Sequence, residues 1–307
     1  MNSIKKMMLS GALGCLISGM AYADGSSPQP VKPYWQDIQV VAVNKEKPRS
    51  SFMSYADRET ALTSRFEKSP YYSLLNGTWK FFFVDSYKDL PQNITDPSVN
   101  TSSWDDITVP GNWEVQGHGV AIYTNHGYEF KPKNPQPPLL PEANPVGVYR
   151  RDIEIPANWD NRDIYLHIGG AKSGLYVYLN GKEVGYSEDS KNPAEFLINK
   201  YLQPGKNVLT LKIFRWSTGS YLECQDFWRM SGIERDVFLW SQPKASIQDF
   251  RVVSTLDDTY TNGIFKLAVD LKNHTQETKN LNVGYELLDA KGNLMASEAN
   301  DIWVSPA

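Results

Sequence analysis

Side chains able to do more than pack are plentiful in this sequence, and few of them stand where they could react together. Its 307 residues include 35 Asp and Glu, four His and two Cys. No Cys or His pair has the helical or hairpin spacing of a zinc site. Cys15 falls in a leader segment, which leaves Cys224 alone and makes a core, not a disulfide, the source of stability. Nine Trp and an aromatic fraction of 12% supply flat faces that stack on sugar rings. The same rings fill cores and sheets, which is the commoner use of any one of them. Two irregular stretches, 111–146 and 217–235, hold the polar residues worth following. His118 and His126 flank Asn125 in the first and have no acid at a telling spacing, so loop packing or exposure is their default. Taken alone, Asn125 reads as a turn residue bonding its own backbone. Asp226, in the second stretch, reads alone as a turn residue or an ion-pair partner of Arg229 or Arg235.

The elements that position these stretches are strands. Short runs of period two, bounded by turn residues, lie at 79–84, 107–110, 148–155, 164–168, 175–179, 184–187, 208–216 and 236–240. Asn180-Gly181 between two such runs predicts a type I′ hairpin. Leu209, Leu211 and Ile213 share one strand face, with Thr210 and Lys212 on the other. Many short strands and few helices predict an all-β chain whose main part is a jelly-roll, galactose-binding-like β-sandwich. The stretch 111–146 is stiffened by Pro132, Pro135, Pro137, Pro138, Pro141 and Pro145, and loops of this length are usually functional or disordered. After Pro243 strands recur at 247–255, 265–271 and 282–288, with a turn at 289–293. They predict an immunoglobulin-like β-sandwich that is cut short, because that fold needs about seven strands and about 100 residues.

Composition is ordinary and globular, with 41% hydrophobic and 21% charged residues. Formal charge is −4, from 31 basic and 35 acidic residues. No basic run breaks the mixture, which argues against nucleic acid and anionic membranes as partners and suits a neutral ligand. Residues 1–23 read as a signal peptide: Lys5 and Lys6, an apolar stretch over 7–20, and Ala21-Tyr22-Ala23 before Asp24. The mature chain is expected to be exported, periplasmic or secreted. Gly14-Cys15 is a faint lipidation signal, with Ala12 where Leu is usual. No later segment approaches the ~18 to 20 apolar residues of a transmembrane helix.

The run Arg215-Trp216-Ser217-Thr218-Gly219-Ser220-Tyr221-Leu222-Glu223-Cys224-Gln225-Asp226-Phe227-Trp228-Arg229-Met230-Ser231-Gly232 strongly resembles the signature region of β-galactosidases of glycoside hydrolase family 2, the large lactose-cleaving bacterial type. Further matches stand in order: Leu75-Asn76-Gly77-Thr78-Trp79, Val109-Pro110-Gly111-Asn112-Trp113-Glu114, Ile122-Tyr123-Thr124-Asn125, Asn144-Pro145-Val146-Gly147-Val148-Tyr149 and Val184-Gly185-Tyr186-Ser187-Glu188-Asp189-Ser190. The resemblance covers 34–307. It implies an N-terminal arm (24–70), a jelly-roll sugar-binding domain (71–243) and an incomplete immunoglobulin-like domain (244–307). A catalytic TIM barrel carrying two Glu for retaining hydrolysis would follow. That barrel is absent from this chain, so no carboxylate here is expected to be catalytic, and this piece alone is expected to be inactive.

What the resemblance assigns to this part is substrate contact. Asn125 matches an Asn that hydrogen-bonds galactose, for which an amide offers both donor and acceptor. Asp226 matches an Asp that contacts galactose and also coordinates a sodium ion, as a hard oxygen ligand suits. Magnesium would be confined to the barrel. Cys224 departs from the family pattern, where many relatives carry Asp. Trp228, Arg229 and Gly232 read as structural. The expected partners are a β-galactoside and the chain's own barrel, with a homo-oligomer allowed for the full enzyme. The alternatives are a free-standing carbohydrate-binding module, or a sister activity, β-glucuronidase or β-mannosidase.

Overall fold

Alternating apolar residues in this chain do build two facing antiparallel sheets. The computed structural model describes residues 32–130 and 135–307. The signal peptide read at 1–23, Cys15 within it, and Pro132 of the Pro-rich stretch lie outside these residues. A seven-stranded sheet runs in the order Ala42–Val43, Lys182–Ser187, Gly174–Leu179, Lys206–Phe214, Val146–Glu154, Gly77–Val84 and Asp105–Val109. A four-stranded sheet runs Ala194–Leu197, Arg162–Ile168, Val237–Pro243 and Tyr72–Leu74. Leu209, Leu211 and Ile213 face inward with Trp79 and Phe81, and meet Leu166, Ile168, Phe196 and Leu239 from the other sheet. Each such side chain contributes about 1.5–3 kcal/mol when fully buried. At the predicted hairpin, Asn180 and Gly181 both have positive φ, 53° and 77°, and Leu179 pairs with Lys182.

The outer face of the larger sheet, which carries Thr210 and Lys212, is covered by other segments of the chain. Thr210 is buried because the arm and the segment after Val84 cover it. Trp35 stacks on Phe214 with centroids 5.0 Å apart, and Ile94 and Trp104 join Val146, Val148 and Tyr176 in a second core. Arg150 pins the irregular part of that cover by donating to the carbonyls of Ile94 (2.7 Å), Asp96 (3.0 Å) and Val99 (3.1 Å). Lys212 lays its ammonium 4.7 Å from the Tyr176 ring centroid, so a polar residue type here belongs to a cation–π contact. Further along the arm, Met53 packs with Tyr165, Phe238 and Trp240 on the outside of the smaller sheet. The helix of the arm is short, Arg58–Leu62, and Asp57 caps it by accepting from the Thr60 N–H at 2.8 Å.

Beyond Pro243 come two hairpins, Ala245–Leu256 with Gly263–Asn273, and Lys279–Leu288 with Leu294–Val304. The last of these strands has no period-two signal and was not anticipated; its residues are nearly all exposed. Asp289 forms the turn before it, accepting from the N–H groups of Lys291 and Asn293, each at 2.8 Å. The first hairpin is tied to the sandwich at its end through buried Asp163, which meets Lys272 Nζ at 3.0 Å and His274 Nδ1 at 2.7 Å. No helix among the described residues is long and apolar enough to cross a membrane.

Candidate functional site

The two irregular stretches meet. Ile122–Thr124 pairs antiparallel with Phe227–Arg229, in the register Thr124 to Phe227, Tyr123 to Trp228 and Ile122 to Arg229. Asn125 directly follows the first strand and Asp226 directly precedes the second, so both emerge at the same end of this small ribbon. Both are exposed. Tyr123 Oη donates to Asp226 Oδ1 at 2.9 Å, and that hydrogen bond, with the carboxylate's charge, raises the Tyr123 phenol above its ordinary pKa. The rings of Tyr123 and Trp228 lie 5.7 Å apart and are 55% and 53% exposed. An open, uncharged aromatic surface beside a carboxylate and an amide can present stacking faces, donors and acceptors to a polyhydroxylated ligand.

Asn125 and Asp226 both stand at bends. Arg229 donates to the Glu223 carbonyl at 2.9 Å, and Arg235 to the Gly169 carbonyl at 3.1 Å, rather than to Asp226. The Asn125 amide oxygen faces His126 Nδ1 at 2.7 Å, rather than a backbone group. His118 packs its ring against Phe81, with centroids 4.8 Å apart, as its default reading has it. Arg229 and Gly232 are buried. Gly232 has φ +112°, and a Cβ there would meet Tyr149 Oη at 2.8 Å and the Gly111 carbonyl at 2.9 Å, so no side chain fits. Trp228 pairs with Tyr123 across the ribbon and is exposed. Cys224 directs its thiol at the carbonyls of Ser220 and Tyr221, and burial raises its pKa.

The matching sequence blocks prove to be the clamps of these loops. Glu188 accepts from Tyr186 Oη, Thr218 Oγ1 and the Gly219 N–H, each at 2.7 Å. Glu223 accepts from the N–H and hydroxyl of Ser190 at 2.9 and 2.7 Å. Asn144 exchanges two hydrogen bonds with the backbone of Trp216, at 2.8 and 3.0 Å. Burial raises the Glu188 and Glu114 carboxyls above their usual range, even though both accept hydrogen bonds. Sequence reasoning missed a buried charge cluster below the ribbon, formed by Lys172, Glu129, Arg215 and Glu114. These residues are far apart in sequence and carry no spacing signal. A separate cavity of about 640 Å³ lies between the arm, the smaller sheet and the C-terminal hairpins; Arg49 and Lys272 on its wall are paired with Glu195 and Asp163.

Fold and site together define a β-sandwich whose end loops form an open, polar and aromatic surface suited to a sugar. The description "Glycosyl hydrolases family 2, sugar binding domain" matches residues 72–243. The chain belongs to glycosyl hydrolase family 2. It is 39% identical over 262 residues to a β-galactosidase of Priestia megaterium, covering 84% of this chain and 25% of that relative. A β-galactosidase of Oenococcus oeni is 42% identical over 185 residues, covering 60% of this chain and 18% of the relative. Thus the chain spans about a quarter or less of the relatives it matches. Among solved structures, a Bacteroides uniformis β-glucuronidase superposes with TM-score 0.61 at 20% identity, covering 76% of this chain and 26% of the other. A β-glucuronidase of an uncultured Clostridium gives 0.54 at 21% identity, covering 77% and 39%. At these identities the structural likeness concerns the fold.

Proposed function

We propose that this chain is the exported, substrate-facing portion of a β-galactosidase that hydrolyses terminal non-reducing β-D-galactose residues. Asn125 and Asp226 supply sugar contacts, and the bond-breaking pair of Glu residues resides in a barrel outside this chain. The observation that carries the reading is the pairing of Ile122–Thr124 with Phe227–Arg229, which brings an exposed amide and an exposed carboxylate to one end of one ribbon. In the reaction these side chains bind and orient the sugar. The Tyr123 hydroxyl holds one Asp226 oxygen, leaving the other for a ligand. Asp226 also fits a sodium ion as one hard oxygen ligand. On the family reading, the remaining ligands come from the barrel. Magnesium, on this reading, belongs to the barrel alone.

The jelly-roll and immunoglobulin-like assignments to 71–243 and 244–307, and the export signal at 1–23, belong to the same proposal. β-Glucuronidase is the second reading, because solved structures of that title share the fold. The matched β-galactosidases, at much higher identity, support the first. The discriminating experiment is turnover of aryl β-galactoside against aryl β-glucuronide by the full-length protein. Galactoside preference is expected, and a preference for glucuronide overturns the reading.

A further inference from the structure

Lys172 is a side chain that reaches both loops. It stands on the short strand Ala171–Lys172, paired with Gly232–Ile233, and is 1% exposed. Its ammonium lies 3.1 Å from Glu129 Oε1, four residues beyond Asn125. The same ammonium lies 5.8 Å from the ring centroid of Phe227, the residue after Asp226. Glu129 is held from its other side by Arg215, whose Nε lies 3.8 Å from Oε2, and Arg215 also faces Glu114 at 3.6 Å. Two cations and two anions are thus brought together in a nearly dry space, with buried Arg229 alongside, its guanidinium 4.7 Å from the centroid of the same Phe227 ring. Such a cluster adds little net stability, because desolvation offsets most of the Coulomb gain, and replacing both members of a buried pair by apolar groups is often neutral. Its positional effect is another matter. Withdrawing Glu129 leaves Lys172 buried without its ion-pair partner, and withdrawing Lys172 leaves Glu129 and Glu114 to share Arg215, so either move uncovers a net buried charge and the segments are held in one arrangement.

We propose that Lys172 and Glu129 are positioning residues for the sugar site, their ion pair fixing the spacing between Asn125 and Asp226. The proposal rests on the reading that those two residues contact the galactoside. Both members of the pair are buried and act through the loops, not on the ligand.

The test uses the full-length protein and two variants, Lys172→Met and the paired Lys172→Met/Glu129→Leu, with Asn125→Ala alongside. In Lys172→Met, amide exchange over 122–130 and 224–229 should accelerate about tenfold or more, with 206–214 unchanged. The paired variant, free of a lone buried charge, should recover the parent thermal midpoint. It should keep fast exchange in both loops and a KM for aryl galactoside raised about tenfold, with kcat within about threefold. Return of loop exchange and KM to parent values in the paired variant would overturn the proposal, as would acceleration in one loop only. An unchanged KM in the paired variant while Asn125→Ala raises it would do the same. If Asn125→Ala itself leaves KM unchanged while both loops exchange faster, the sugar-site reading fails and the latch stands.

Discussion

At Asp226 one carboxylate oxygen is occupied by the Tyr123 hydroxyl at 2.9 Å, and the residue is otherwise exposed. Asn125 is equally open. If the proposed sugar contacts hold, replacing either one removes a ligand contact without unpicking a core, so in the full-length enzyme Asn125→Ala and Asp226→Asn should each raise KM about tenfold, equivalent to ~1.4 kcal/mol. Circular dichroism should remain that of the parent; unchanged kinetics in both variants would remove these residues from the site. Glu188 and Glu114 make a prediction about pH. Burial raises both carboxyls, so the folded state holds their protons to higher pH than the unfolded state does. Their stabilising contribution is complete below the ordinary carboxylate pKa and is lost as pH rises through the raised folded value. The thermal midpoint should therefore decline as pH rises above the ordinary carboxylate range, and Glu188→Gln should flatten that slope. An identical slope in the variant would show that Glu188 is not a source of it.

Among the elements, the sandwich strands were the most legible. Leu209, Leu211 and Ile213 alternate as a strand should, and Asn180-Gly181 names its own turn. The cover of the outer face was not legible, because Trp35, Ile94 and Trp104 lie in irregular segments with no period. The strand Leu294–Val304 escaped for the opposite reason: it buries almost nothing, so it never had to alternate. At the site, Asn125 and Asp226 could be found only through the motifs around them, while Lys172 and Glu129 meet through tertiary contact alone. The cover should matter energetically. Trp35 is 2% exposed, and Trp35→Ala should cost about 3–5 kcal/mol in urea unfolding. A loss below about 1 kcal/mol would mean that the arm lies on the sheet without stabilising it.

For the molecule as a whole, the chain spans about a quarter of the length of the β-galactosidase of Priestia megaterium that it matches, and the residues proposed to face the sugar form one open surface. An open surface with two polar contacts and two aromatic rings offers little to offset the cost of association. Calorimetry on residues 24–307 should accordingly show no heat of binding with galactose at millimolar concentration, and saturable binding there would favour a free-standing carbohydrate-binding module. The central claim is that these loops serve galactoside hydrolysis in the longer protein. Its most direct test is the ratio of kcat/KM for aryl β-galactoside over aryl β-glucuronide, measured on the full-length enzyme and again on Asn125→Ala. The account predicts a strong galactoside preference that falls about tenfold in the variant; a preference for glucuronide, or a galactoside rate indifferent to Asn125, would contradict it.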